Sequence, residues 1–266
     1  MKVGFLGAGK MAEAIVDALY VGGKVAWDSM ICDKSKERRD LMAKEYQVAV
    51  TECPVEVVKA CKVLVLAVKP QDLDALLADI KKHLTAKHLL ISIAAGKTLA
   101  ALKKAAGTKP RIVRVMPNLA MTVLEGMSVY CAAANATPAD KRLVARIFKY
   151  ASEVLELPEK HFDAVTALSG SGPAFFAYIL NAMAEAAIAL KLPSDAAHLL
   201  AQQTLIGTGI YLQNTGRDVG EFIKAVASPK GTTAAGLAVL EQSDIKAILA
   251  KTLTAAATRS AELCKE

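Results

Sequence analysis

Lys2-Val3-Gly4-Phe5-Leu6-Gly7-Ala8-Gly9-Lys10-Met11-Ala12 opens the chain and decides how the rest is read. Five residues of strand character run straight into a glycine turn, and the turn runs into a stretch of helical periodicity that Gly22-Gly23 can stop. Gly7, Gly9 and Ala12 stand in the G-x-G-x-x-A spacing of a dinucleotide fingerprint. Gly7 permits the tight turn, Gly9 lets a pyrophosphate approach the backbone, and Ala12 lets the helix pack closely on the strand. The free N–H groups at the helix start then face the phosphates, which makes Gly7, Ala8, Gly9, Lys10 and Met11 candidate cofactor contacts. The bland alternative is a glycine turn in an unrelated sheet; the strand before it and the helix after it favour the nucleotide.

Outward from this motif, short apolar runs recur at Lys2 to Leu6, Met30 to Cys32, Val48 to Val50, Val63 to Val68, Leu89 to Ile93 and Ile112 to Met116. Most are separated by helical periodicity, the alternation of a parallel, doubly wound sheet. Val63 to Val68 has no polar alternation, as expected of a central strand covered on both faces. A further strand, Met127 to Tyr130, and a helix after Thr137-Pro138 complete a unit that ends near Leu157-Pro158.

The strand ends carry the candidate chemistry, because open sheets bind ligands at their carboxyl edge. Asp33 lies 26 residues after Gly7, where an acid holds ribose hydroxyls, which argues for NADH. Lys34, Ser35, Lys36, Arg38 and Arg39 follow at once, and such cations can instead hold a 2′-phosphate, so NADH and NADPH both stay open. Ala67-Val68-Lys69-Pro70 closes the central strand, and Pro70, lacking an N–H, turns the chain out over the cofactor. Ala94, Ala95 and Gly96 end the next strand, and Asn118 follows Pro117 at the end of the one after.

The chain has 266 residues, 53% hydrophobic and 22% charged, the make-up of a globular protein large enough for two domains. Its net charge of +7 is confined to one part: residues 1 to 163 hold 25 Lys and Arg against 18 Asp and Glu, the remainder 8 against 8. The cations are scattered over helix faces without aromatic interleaving, which disfavours nucleic acid and fits an anionic small molecule. Five cysteines without C-x-x-C spacing suggest neither a zinc site nor a disulfide framework, and four histidines show no ligand spacing, so no metal is expected. The first apolar run is too short for a signal peptide, and a reducing cytoplasm fits the cysteines.

Beyond residue 163 the text becomes alanine-rich helix, at about 174 to 190, 195 to 213, 218 to 226, 232 to 241 and 244 to 264. Ala174 to Leu190 is apolar nearly all round yet carries Glu185, so burial between helices or protomers fits it better than a membrane span. Glu185 and Asn181, one helical turn apart, read as a buried hydrogen-bonding pair. So alanine-rich a domain has too few large side chains for a core of its own and is expected to pack against its copy in a homodimer. The fold expected is α/β: an N-terminal Rossmann-type doubly wound sheet over residues 1–160, followed by an all-α C-terminal dimerisation domain over 161–266. Within the helical part, Ser169-Gly170-Ser171-Gly172-Pro173 and Ser228-Pro229-Lys230-Gly231-Thr232-Thr233 each bring hydroxyls and free amides to a helix start. With no carboxylate dyad or Cys pair beside them, the hard chemistry falls to a cofactor.

Together, Phe5 to Met11, Ala67-Val68-Lys69-Pro70-Gln71, Ser92-Ile93-Ala94-Ala95-Gly96, Arg114-Val115-Met116-Pro117-Asn118, Leu168 to Ala174 and Ser228 to Thr233 make the chain resemble the pyrroline-5-carboxylate reductase family over nearly its whole length. The resemblance implies NAD(P)H-dependent reduction of the cyclic imine 1-pyrroline-5-carboxylate to L-proline, the last step of proline biosynthesis. It assigns Thr233 to the ring nitrogen, and the amides of Gly231, Thr232 and Thr233 with Ser228 to the carboxylate. Val226 and the Ser171-Gly172-Pro173 turn would line the ring pocket. It implies homodimers with interlocked helical domains that assemble further.

Three positions depart from that pattern: Lys230 stands where the family often has glycine, Pro54 where it often has asparagine, and Asp33 where it often has a small polar residue. Two rival readings are a related reductase acting on another imine or a β-hydroxy acid, and a dinucleotide-binding sensor without catalysis. The hydroxy-acid enzymes need a lysine general acid on the first long helix of the second domain, and Ala174 to Leu190 contains none. The Thr232-Thr233 pair disfavours the sensor.

Overall fold

The computed structural model describes residues 2–21 and 27–265. Gly22-Gly23, expected to stop the first helix, lies outside the described residues. Packing divides the chain into two compact units, Met1–Ser171 with Ala255–Glu266, and Gly172–Thr254.

The first unit is an eight-stranded sheet in the order β3-β2-β1-β4-β5-β6-β7-β8. Its strands are β1 (Lys2–Leu6), β2 (Asp28–Cys32), β3 (Ala49–Thr51), β4 (Val63–Leu66), β5 (Leu89–Ser92), β6 (Arg111–Pro117), β7 (Gly126–Ala132) and β8 (Ser152–Glu156). Around them lie α1 (Lys10–Val21), α2 (Lys36–Tyr46), α3 (Pro54–Ala60), α4 (Pro70–Ile80), α5 (Leu99–Ala106), α6 (Pro138–Phe148) and the short α7 (Phe162–Val165). β1 to β6 pair in parallel. Because successive strand residues point to opposite faces, β4 feeds two cores. Val65 joins Phe5, Ile15, Leu19 and Phe148 on one face, and Leu64 and Leu66 join Val57, Leu73 and Leu77 on the other.

β7 runs antiparallel to β6. The link between them, a short 3-10 turn at Leu119–Val123, is too short for the crossover a parallel pair requires. β8, parallel to β7, was not expected from sequence. Ser-Glu-Val-Leu-Glu is short and half polar, as an edge strand must be if it is not to recruit another chain. Pro70 does not lead into a loop: it is the first residue of α4, where its missing N–H breaks no helical bond.

A division after residue 160 was expected, whereas the first unit continues to Ser171 and includes 255–266. Phe162 is buried in it, Ser260 Oγ donates to Asp163 Oδ1 at 2.7 Å, and the Cβ position of Gly96 lies 3.2 Å from Leu263 O. These contacts tie the C-terminal segment to the sheet unit.

The second unit holds α8 (Gly172–Ala189), α9 (Ser194–Thr215), α10 (Val219–Val226), α11 (Thr232–Gln242) and the first half of α12 (Ile245–Leu263). Gly216, at φ 60°, ends α9 in the left-handed conformation, and Asp218 caps α10 by accepting the Glu221 N–H at 3.1 Å. The bounds follow the expected helices to within about two residues, as caps and glycines allow. α8 and α9 enclose an apolar groove of about 420 Å³ lined by Phe176, Leu180, Met183, Leu200 and Leu205. Of α8, only Gly172 and Ala184 are buried within the chain, and Tyr178 is 78% exposed. The Asn181–Glu185 hydrogen bond is present at 2.7 Å, but on an exposed face of the single chain rather than buried as expected. The helical run Glu159–Ala189 is long and apolar enough to cross a membrane; by composition the same holds for a helix covered by another protein surface.

Candidate functional site

The glycine turn is locked from behind and open in front. Gly7 has φ 107°, and a Cβ there would lie 2.6 Å from the Ala67 carbonyl carbon and oxygen, so only glycine fits. Its N–H donates to Cys32 O at 2.8 Å, and Ala67 N–H donates to Leu6 O at 2.8 Å, which draws the carboxyl ends of β1, β2 and β4 together. Gly9 differs: a Cβ there would meet nothing within 4 Å. The backbone at Gly9 is bare toward open space, the cradle a pyrophosphate needs at a helix start. Ala8 and Ala12 are fully buried beneath it, while Lys10 is exposed and Met11 packs partly into the core.

Asp33 is joined to that turn. Its Oδ2 accepts the Ala8 N–H at 2.7 Å and its Oδ1 accepts the Ser35 N–H at 2.8 Å. A carboxylate offers about four acceptor sites, so one on each oxygen remains for a pair of ribose hydroxyls. Ser35 Oγ caps α2 by accepting the Arg38 N–H at 3.2 Å, and Lys34 lies exposed between them.

The two arginines expected to face solvent or a phosphate are engaged with the protein. Arg38 Nε donates to Ala8 O at 2.6 Å, and its Nη2 reaches Glu13 Oε2 at 2.6 Å. Arg39 Nη1 donates to the carbonyls of Asp33 and Lys34 at 2.8 and 3.0 Å. Sequence spacing shows four nearby cations but not which carbonyls they reach, so this strap escaped the sequence reading.

The other expected cofactor residues lie at strand ends of the same sheet. Val68 and Lys69 lead into α4 with Lys69 as N-cap and Pro70 next. Ala94 is buried, and Gly96 has φ 73°, a value that favours glycine; Ala95 stands between them. Asn118 is committed to the fold: its Oδ1 accepts the Met127 N–H at 3.0 Å and its Nδ2 lies 3.5 Å from Ser169 Oγ. Ser169 belongs to a π-helical turn, Thr166–Gly170, in which a Cβ on Gly170 would sit 2.6 Å from Met116 Cε. No single-sequence pattern marks such a turn, and π turns gather at functional sites.

β6 also carries a pairing that sequence could not supply. Arg114, almost wholly buried, donates to Glu159 Oε1 at 3.0 Å and lies 4.6 Å over the Phe162 ring. The same Oε1 accepts the Leu99 N–H at 2.7 Å. Removing Glu159 would strand the buried charge of Arg114.

In the helical unit, Ser228, Gly231, Thr232 and Thr233 lie together at the start of α11, while Gly172 and Pro173 lie at the start of α8. Ser228 Oγ sits so close to the Cα of Gly231 that a Cβ at 231 would collide with it. Gly231 N–H donates to Ser228 O at 3.0 Å, so this amide, expected to bind a carboxylate, already closes the turn. The first bond into α11 runs from Ala235 N–H to Gly231 O at 3.2 Å, which leaves the amides of Thr232 and Thr233 at the helix mouth. Gly231 is the N-cap and has no side chain with which to cap the helix, and Thr232 and Thr233 follow it as the first two residues of α11. Lys230 adopts φ 60°, the left-handed region where a side chain is disfavoured. Val226 ends α10 with its side chain half exposed, and Gly172-Pro173 opens α8 just after Ser171, whose N–H donates to Thr166 O at 2.8 Å.

Two family models match. The one described as NADP oxidoreductase coenzyme F420-dependent covers residues 2–96, and the one described as pyrroline-5-carboxylate reductase dimerisation covers 159–263. Pyrroline-5-carboxylate reductase 3 of Rattus norvegicus is 36% identical over 265 residues, 100% of this chain and 97% of that one. The chain belongs to the pyrroline-5-carboxylate reductase family. The solved pyrroline-5-carboxylate reductase of Coxiella burnetii superimposes with a TM-score of 0.95 at 32% identity, covering 99% of this chain and 98% of that one. The pyrroline carboxylate reductase of Plasmodium falciparum, solved with NADP bound, gives 0.85 at 29% identity with the same coverage. As a pyrroline-5-carboxylate reductase family member, the chain carries the family's dimerisation module, and the apolar faces of α8 and α9 fall inside it.

Proposed function

We propose that this chain reduces 1-pyrroline-5-carboxylate to L-proline with NADH or NADPH, the last step of proline biosynthesis. The observation that carries the reading is the helix mouth at Ser228–Thr233, where the amides and hydroxyls of Thr232 and Thr233 make no hydrogen bond among the described residues, on a chain that also holds a bare glycine cradle with an acid bonded to it. When bound, the reduced nicotinamide supplies the hydride that the imine carbon accepts. The chain's own groups bind and orient. Gly7, Ala8, Gly9, Lys10 and Met11 seat the pyrophosphate; Asp33, Lys34 and Ser35 meet the adenosine ribose. The ends at Ala67–Pro70, Ala94–Gly96 and Asn118 border the nicotinamide half.

On the substrate side, the amides of Thr232 and Thr233 with the Ser228 hydroxyl hold the carboxylate at the positive end of α11. The Thr233 hydroxyl hydrogen-bonds the ring nitrogen; as a weak acid it relays a proton from water rather than generating one. Val226, Ser171, Gly172 and Pro173 line the ring. Homodimerisation through the helical module, with further assembly, is supported by the uncovered apolar groove between α8 and α9. Five free cysteines support a reducing, cytoplasmic setting. The deciding assay follows the absorbance of NADH or NADPH on addition of pyrroline-5-carboxylate. Substrate-dependent oxidation is expected, and its absence with both dinucleotides would reject the reading.

A further inference from the structure

The corner between β2 and α2 carries opposed signals. An acid ends the strand and several cations open the helix, so charge alone does not say whether a ribose hydroxyl or a 2′-phosphate belongs there. The hydrogen bonds divide these residues by role. Asp33 keeps one acceptor site free on each carboxylate oxygen, because Ala8 and Ser35 take only one apiece. Two adjacent hydroxyls match that arrangement; a phosphate brings only acceptors and further negative charge beside an anion. The arginine that would offset this charge is turned inward. Arg38 bridges the Ala8 carbonyl and Glu13, so its charge is already balanced by a carboxylate. Arg39 is folded against the Asp33 and Lys34 carbonyls. Lys36 pairs with Asp40 at 2.5 Å, one turn along the helix. Among the described cations of this corner, Lys34 alone has an exposed side chain that takes no part in these bonds, although its carbonyl accepts from Arg39.

Asp33 and Arg38 therefore grip Ala8 from both sides, one through its N–H and the other through its C=O. We propose that Asp33 makes the chain selective for NADH over NADPH by discriminating between the two riboses, while Arg38 positions the glycine turn for either dinucleotide. The inference rests on the dinucleotide part of the proposed function and adds the choice of cofactor. A loosened turn weakens both dinucleotides alike, whereas a lost acid changes their ratio, so the two residues separate experimentally.

The test is equilibrium titration of the purified full-length chain with NADH and with NADPH, read as dissociation constants from nucleotide fluorescence without substrate. Wild type is expected to bind NADH about tenfold or more tightly than NADPH. Asp33→Ser should abolish or reverse that ratio, and Arg38→Ala should weaken both dinucleotides by the same factor. Thermal melts establish that each variant is folded, and Asp33→Asn replaces Asp33→Ser if the latter is not. Wild type binding NADPH as tightly as NADH overturns the proposal. So does an unchanged ratio in the Asp33 variant, or an Arg38→Ala loss confined to NADPH. Failure of folded wild type to bind either dinucleotide overturns the reductase reading together with this one; binding without selectivity overturns this one alone.

Discussion

Gly7 lies against the backbone of Ala67 so closely that a methyl group on it would stand 2.6 Å from the Ala67 carbonyl, while two positions on, Gly9 has nothing within 4 Å of the same point. The two glycines of one motif thus have different surroundings: the first packs β1 against β4, and the second faces open space where the proposed pyrophosphate would lie. Gly7→Ala should fail to fold or melt far below wild type, because backbone cannot move aside as a side chain can. Gly9→Ala should melt within about 2 °C of wild type, as substitutions away from packed features do, yet bind NADH and NADPH at least about tenfold more weakly. Melting curves and dinucleotide titration separate the two, and undiminished binding by Gly9→Ala would show that phosphates do not lie there.

Thr233 brings its hydroxyl to the mouth of α11, one residue after the helix starts. Thr233→Ala should lower kcat/KM for pyrroline-5-carboxylate by about tenfold to a thousandfold with an unaltered melting temperature. Thr233→Ser should recover most of the loss. Steady-state kinetics that match wild type in the alanine variant would remove the hydroxyl from the mechanism.

Lys230 is held at φ 60° in an exposed turn. A non-glycine residue there is strained by about 1 kcal/mol or more, and part of the gain from glycine is returned through unfolded-chain entropy. Lys230→Gly should raise the melting temperature by about 1–3 °C, and the β-branched Lys230→Val should lower it. A glycine variant less stable than wild type would mean that the side chain stabilises the turn in some other way.

His88 is buried and fully bonded: Nδ1 accepts the Thr85 N–H at 2.9 Å and Nε2 faces Val58 O at 3.1 Å. Those partners fix the neutral ring with its proton on Nε2, and burial lowers its pKa below the ordinary 6.5. Above about pH 6.5 the residue contributes no pH dependence, since it is neutral folded and unfolded. Below that value the unfolded chain takes up a proton that the folded chain refuses, so stability falls until the folded pKa is reached, by at most about 1.4 kcal/mol per pH unit. Melting temperatures from pH 7.5 down to about pH 5.5 should therefore drop more steeply for wild type than for His88→Gln. Parallel curves would place the acid sensitivity elsewhere.

Much of the fold was legible in the sequence, because period-2 and period-3.6 patterns, glycine punctuation and proline starts are local properties. β1, β4 and β5 and the helices α8 to α12 follow from them. The dinucleotide motif was legible for the same reason, since strand, turn and helix are contiguous. β8 was hidden because Ser152–Glu156 is a polar edge whose strand character comes from its pairing with β7. The antiparallel turn of β7 depended on a linker length, not on composition.

What the sequence by itself determined is the kind of chemistry: which residues at a strand end and a helix start can hold a dinucleotide and a small acid. The tertiary structure decided which of those groups are free. Arg38 and Asn118 stand in motifs as groups open to a ligand, and only three-dimensional packing commits the Arg38 guanidinium to Ala8 and Glu13 and makes the Asn118 Oδ1 accept the Met127 N–H. Gly231 likewise gives its amide to Ser228, while Thr232 and Thr233 keep theirs. The reason is physical: a residue's type fixes what bonds it can form, but whether a bond remains available depends on neighbours brought close from distant parts of the chain.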